Sequence, residues 1–252
     1  MTATVPQTAP APDAPPPWLW GARIAALAVT ATMLAFGVLS VVGMFAHQER
    51  TTSRQFTEPV TRLVVTTGTG DVRIRHGVEG VPIEVVTTTK DSFGTARSSE
   101  AVADGALRLT GECRFILLPD NCGVDYDVTL PPGIEVEVNT GTGDTVVDGA
   151  TAQVTINSGT GDIRASTLQA SPVAVQTGTG DVRLQFSTPP DEVSAHSGIG
   201  DITITVPADG SDYRVVAHTG IGTLSDHLPH DDLAPRTIRA ESGTGYIRLD
   251  AR

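Results

Sequence analysis

A short phrase repeated along this chain constrains its fold more than any other feature. "TGTGDVR" begins at residue 67, "TGTGDTV" at 140, "SGTGDIR" at 158, "TGTGDVR" at 177 and "SGIGDIT" at 197. Two weaker copies, "TGIGTLS" and "SGTGYIR", begin at 219 and 242. Taking the second glycine as the mark, Gly143, Gly161, Gly180, Gly200, Gly222 and Gly245 follow one another at intervals of 18, 19, 20, 22 and 23 residues. A period near 20 residues is the sign of stacked units, each too small to bury its apolar face without its neighbours.

The residues around each mark say how a unit is built. Apolar residues alternate before the Ser or Thr, as in Leu63 and Val65, Val154 and Ile156, or Val173 and Val175; they alternate again after the Asp, as in Val72 and Ile74, Ile163 and Ala165, or Ile202 and Ile204. Period two turns one face of a strand inward. The two alternations are out of phase across G-x-G, and glycine absorbs such a change because it reaches positive φ without a Cβ clash. Each copy therefore reads as a corner between two strands, followed by a variable return loop such as "STPPDE" or "DHLPHDDLAPR". Whether the Thr or Ile between the glycines packs or projects stays open.

These units predict an all-β chain, a right-handed parallel β-solenoid with equivalent residues of adjacent coils about 4.8 Å apart. Few aromatics (4%) and abundant Thr, Val, Gly and Asp fit short strands and tight turns. A β-sandwich of hairpins is the rival, but it would show turn signals every 8 to 12 residues without a fixed motif. No copy occurs between Gly70 and Gly143; strand-like "VPIEVVTTT", "ALRLTG", "VDYDVTL" and "GIEVEVNT" there predict β-structure capping the amino-terminal end. Cys113 and Cys122, separated by turn-like "LPDN", are placed to form a disulfide stapling a "CRFILLPDNC" hairpin. At the other end the last coil is expected to finish with the chain, its edge protected by Arg248, Asp250 and Arg252.

Residues 24–46, "IAALAVTATMLAFGVLSVVGMFA", are uncharged and long enough to cross a hydrocarbon core as a helix. The expected organisation is a disordered Pro-rich tail over 1–18, one transmembrane helix over 19–46 with Trp18 and Trp20 near its start, a linker over 47–60 and the repeat domain over 61–252. A cleaved signal peptide would have a shorter apolar core and small residues before the cut. Arg50, Arg54 and Arg62 favour a cytoplasmic carboxy-terminal domain by charge counting. Long domains are exported despite nearby charges, however, and a close cysteine pair suits an oxidising compartment, so the expected location is the cell membrane with the domain extracytoplasmic.

The apolar run followed by "GDVRIR", "CGVDYDVTLPPGIEVEVNTGTGD" and the serial "SGTGDIR" units resembles the bacterial putative-adhesin family of β-strand-repeat envelope proteins, related to toast-rack domains. The resemblance covers roughly residues 60–252. It implies an extracytoplasmic β-repeat domain near envelope-stress or surface functions, without enzymatic activity. Thr223 and Tyr246 depart from the pattern, standing where the other copies have Asp.

Asp144, Asp162, Asp181 and Asp201 hold one position in four consecutive units, so a solenoid stacks them. Such neighbours repel by roughly 0.8 kcal/mol in water and more near a protein surface. Turn amides can offset this by donating to the carboxylates. Ca²⁺ between coils is the alternative, as in a cation-stabilised structural module, although the nonapeptide calcium motif is absent. A polysaccharide-active β-helix enzyme is a remote alternative, since near-identical carboxylates provide little differentiation into acid and base. His196 and His218 are expected to stack between Gln176 and Glu241, and "DHLPHDD" over 226–232 to form an exposed polar connection. No nucleophile elbow, phosphate loop or dinucleotide fingerprint is present, so no cofactor is expected. A net charge of −12 with a single lysine, Lys90, disfavours nucleic acid. The expected partners are the membrane, through 24–46, and an envelope protein or polymer.

Overall fold

The computed structural model describes residues 27, 29–34, 36–37, 48–91, 95–114 and 122–252. The chain divides into two units, 1–46 and 47–252. In the first, the described residues are helical, and among the described residues no helix is long and apolar enough to cross a membrane. The expected tail over 1–18 lies outside the described residues, as does most of the expected spanning helix.

The second unit consists of strands. In chain order they are β1 (Gln48–Phe56), β2 (Arg62–Thr69), β3 (Val72–His76), β4 (Ile83–Asp91), β5 (Thr95–Ala103), β6 (Ala106–Arg114), β7 (Gly123–Leu130), β8 (Glu135–Thr142), β9 (Thr145–Asp148) and β10 (Val154–Thr160). There follow β11 (Ile163–Leu168), β12 (Val173–Thr179), β13 (Val182–Phe186), β14 (Glu192–Ile199), β15 (Ile202–Val206), β16 (Arg214–Ile221), β17 (Leu224–Asp226), β18 (Thr237–Thr244) and β19 (Ile247–Ala251). One sheet has ten strands in the order β1-β4-β7-β3-β9-β11-β13-β15-β19-β17; the other has nine, β5-β6-β2-β8-β10-β12-β14-β18-β16. Pairing is parallel except for β1 with β4, β4 with β7 and β5 with β6. Each repeat crosses from one sheet to the other at its glycines, as a solenoid-like coil requires.

Coils stack in register. Val154 lies beside Val136 and Val173, and Ile163 beside Thr145 and Val182, so each inward position forms a ladder of like residues. The inward sets read from the alternation are fully buried in all but the β16 coil, where Val215 and Ala217 are only half-buried. At roughly 1.5–3 kcal/mol for each fully buried aliphatic side chain, these ladders dominate the stability of the stack.

Three expectations change. The stretch 47–60 contains β1, a full-length partner of β4, where a linker was expected. The strands that flank "CRFILLPDNC" do not pair with each other: Cys113 is on β6 in one sheet and Cys122 precedes β7 in the other, and the two cysteines form a disulfide with Cα atoms 5.8 Å apart. This disulfide closes the corner of an additional coil, β6 and β7, which stacks outside the first repeat coil, β2 and β3. The last coil in the chain is not the last in space: β18 and β19 insert between the β14/β15 coil and the β16/β17 coil. At each end, therefore, a coil from further inside the sequence lies outermost. Antiparallel β1, β4 and β5 cap the amino-terminal end as expected, whereas β16 and β17 form the opposite edge.

Candidate functional site

The corner phrase resolves into five separate roles. In four copies its Ser or Thr donates to the carbonyl of the neighbouring coil's second glycine: buried Thr177 to Gly161 at 3.1 Å, Ser197 to Gly180 at 2.9 Å and Ser242 to Gly200 at 3.0 Å, and half-buried Thr219 to Gly245 at 2.9 Å. The first glycine lets coils approach, since a Cβ on Gly178 would lie 2.6 Å from the Gly159 carbonyl oxygen. Thr or Ile between the glycines projects outward, resolving a point the sequence left open. The second glycine takes φ between +141° and +152°, a region essentially reserved for glycine.

The fifth residue, Asp, forms a continuous ladder. Asp144 Oδ1 accepts the Asp162 amide at 2.9 Å, Asp162 that of Asp181 at 2.9 Å, Asp181 that of Asp201 at 2.9 Å, and Asp201 that of Tyr246 at 2.8 Å. The ladder also runs in the other direction, through Asp71, which accepts the Asp144 amide at 3.0 Å, to Asp125, which accepts that of Asp71 at 2.9 Å. Sequence reasoning confined the ladder to four consecutive copies. Asp71 carried the signal in its own "TGTGD" but stood 73 residues before Asp144 in the chain. Asp125 is hidden in "CGVDYD", where the G-x-G frame is lost.

After Asp71, Asp162 and Asp181 an arginine two residues along engages the second oxygen. Arg164 lies 2.6 Å from Asp162 Oδ2 and 3.6 Å from Asp144 Oδ2; Arg183 lies 2.8 Å from Asp181 Oδ2; Arg73 lies 3.6 Å from Asp71 Oδ2. Lys90 meets Asp125 Oδ2 at 2.5 Å, and this contact raises its pKa. The amide of Asp201, then Arg183 and Arg164, hold the Asp181 carboxyl below its ordinary value. Repulsion along the ladder is thus offset by the next coil's amide at each Oδ1 and by guanidinium groups at Asp71, Asp144, Asp162 and Asp181. Among the described residues no group of three or more His, Cys, Asp or Glu side chains is arranged to hold a metal.

The histidines are placed differently from expectation. Glu241 sits between His196 and His218, because β18 inserts before β16; His196 Nδ1 is 4.0 Å from Glu241. In the 226–232 segment, His227 pairs with Asp250 and His230 with Asp226, both at 3.1 Å. The loop is more than an exposed polar connection. His230 bridges to Tyr213, and Leu228 and Ala234 are buried, so it covers part of the open end.

The departures from the phrase gather in the last three coils. Ile199 and Ile221 flank Thr244 in register, and Tyr246 takes the ladder position beyond it. Ile199, Tyr246 and Ile221 are 58%, 61% and 72% exposed. Elsewhere these corner positions hold Thr and Asp. The substitutions build an apolar patch where the rest of the ridge is polar.

These features define a two-sheet, mostly parallel β-repeat domain whose corners carry a structural carboxylate ladder. The chain belongs to the Toastrack DUF4097 family, which matches residues 57–245. Among solved structures it is similar to a putative cell adhesion protein from Clostridium sporogenes, with 15% identity over 81% of this chain and 100% of the other and a TM-score of 0.53. It also matches a putative adhesin from Bacteroides fragilis, with 15% identity over 79% of this chain and 97% of the other and a TM-score of 0.44. At 15% identity the likeness to the Clostridium sporogenes protein is one of fold. No curated protein matches the chain.

Proposed function

We propose that the chain is a non-enzymatic, single-pass membrane protein that displays its β-repeat domain outside the cell membrane to bind an envelope protein or polymer. The apolar run 24–46 would supply the anchor. The disulfide favours an oxidising compartment. The observation that carries the binding role is the patch of Ile199, Ile221 and Tyr246, since exposed apolar clusters rimmed by polar residues mark interaction sites. The putative cell adhesion protein of the same fold is consistent with this role. Catalysis is disfavoured because the ladder carboxylates share one environment, each bound to the next coil's amide, and none is set apart as acid or base.

Thiol labelling of intact cells with a membrane-impermeant reagent tests the display. Labelling of Cys113 and Cys122 only after external reduction is expected; free thiols reached only after lysis would overturn it. Retention on immobilised envelope fractions should fall with Tyr246→Asp and Ile221→Asp but not with Asp104→Asn. Equal retention would exclude the patch.

A further inference from the structure

The two sheets are unequal, ten strands against nine, and the mismatch lies at the capped end. β5 lies across from β4, but β1, one strand further out, has no strand opposite it among the described residues. Exposure reports the step directly. Val85 and Thr87 on β4 are 0% and 2% exposed. Arg54 and Thr52, their direct partners on β1, share the same face and yet are exposed, as is Arg50 opposite Thr89. Below this overhang, β5 pairs with β6 on one side and with no strand on the other among the described residues. The vacancy is one strand wide: about 4.8 Å from β5 in the hydrogen-bonding direction and about 10 Å below β1.

The chemistry of the vacancy is cationic. Glu100 on β5, 6% exposed, accepts the Thr87 hydroxyl at 2.9 Å and lies 3.5 Å from Arg54. Arg54 itself remains 62% exposed, and Arg50 has no ion-pair partner among the described residues. A second copy of the chain fits the shape: a two-fold axis along the strands would place β1 of each copy beside β5 of the other. It fails on charge. Arg50 and Arg54 of both copies would face each other across the joint, with only two Glu100 side chains to balance four guanidinium groups.

We propose that this step accepts an extended acidic segment of a partner protein, which adds to the free edge of β5 over residues 97–103 beneath β1. Backbone pairing supplies affinity and alternate side chains supply specificity, as in strand addition generally. Carboxylates four residues apart on the inner face of the added strand would meet Arg54 and Arg50. Because the chain as a whole carries a charge of −12, an acidic segment is held only where cations are local. The proposal rests on the reading of the domain as an interaction module and names a second surface, distinct from the apolar patch.

The test uses the full-length chain in detergent micelles and a fluorescent nonapeptide, Val-Thr-Glu-Thr-Val-Thr-Glu-Thr-Val, whose palindromic sequence suits either strand direction. Its counterpart with lysine for glutamate should bind about tenfold more weakly or worse, since two close charge pairs are reversed. Arg50→Glu, an exposed change that breaks no ion pair, should reverse the preference. A proline in place of the central valine should abolish binding by removing a backbone donor. A photo-crosslinking version should mark residues 48–56 and 95–103. Absence of binding at millimolar peptide, equal affinity for both peptides, or crosslinks confined elsewhere would overturn the proposal. So would a dimer, seen by sedimentation, that Arg50→Glu dissociates. Thiol labelling of cells reads display independently, so failure of peptide binding and failure of the proposed display are told apart.

Discussion

Replacing Gly180 by alanine tests the corner at its most constrained point. Gly180 has φ of +149° and a methyl there would overlap the Gly161 carbonyl, with the Asp162 amide nitrogen 3.1 Å away. The backbone conformation alone costs a side chain about 1–3 kcal/mol. Relief of the overlap requires the two coils to part, which weakens the bonds from Gly161 N to Thr179 O at 2.9 Å, Ile163 N to Asp181 O at 2.8 Å and Asp181 N to Asp162 Oδ1 at 2.9 Å. At about 1 kcal/mol for each bond lost, the total is roughly 4–6 kcal/mol. Two controls separate the causes. Gly80 also has positive φ, +81°, but nothing lies within 4 Å of its added Cβ, so Gly80→Ala should cost only about 1 kcal/mol. Gly178 has no positive φ yet meets the Gly159 oxygen at 2.6 Å, so Gly178→Ala should fall between them. Urea unfolding followed by circular dichroism measures all three. The reasoning is refuted if Gly180→Ala lies within 1 kcal/mol of the parent chain.

Asp181 is held below its ordinary pKa by the Asp201 amide. Its stabilising contribution is therefore present above the unfolded carboxyl value, about 3.9, and lost as pH falls through the lower folded value. Asp181→Asn should reduce the loss of stability between pH 4 and 2 in acid titrations of the melting temperature; an unchanged acid limb would count against the ladder. The disulfide between Cys113 and Cys122 spans a sequence separation of 9, so reduction should lower stability by about 2.5 kcal/mol on the loop-entropy scale, read from denaturant midpoints. With amides and arginines on the ladder oxygens, excess chelator should leave the melting temperature unchanged, and a rise with added Ca²⁺ would restore the calcium alternative.

Much of the coil was legible in the sequence because it is local. Alternation at period two, the phase change at the glycines and the spacing of the copies determined the inward set, the corner and the all-β character without reference to any distant residue. The disulfide was legible for the same reason: its cysteines are close in the chain. What the sequence could not decide was the order in which coils stack. Each coil presents its neighbours with nearly the same ladder of Val, Ile and Ala, so nearest-neighbour packing barely distinguishes one order from another. Only tertiary structure placed β18 between β14 and β16 and set the β6/β7 coil outside β2/β3. That order moved Glu241 between the two histidines, carried the ladder to Asp71 and Asp125, gathered Ile199, Ile221 and Tyr246 into one patch and left β1 with no strand opposite it among the described residues. Local pattern set the geometry of a coil; the non-local choice of neighbours decided which side chains meet.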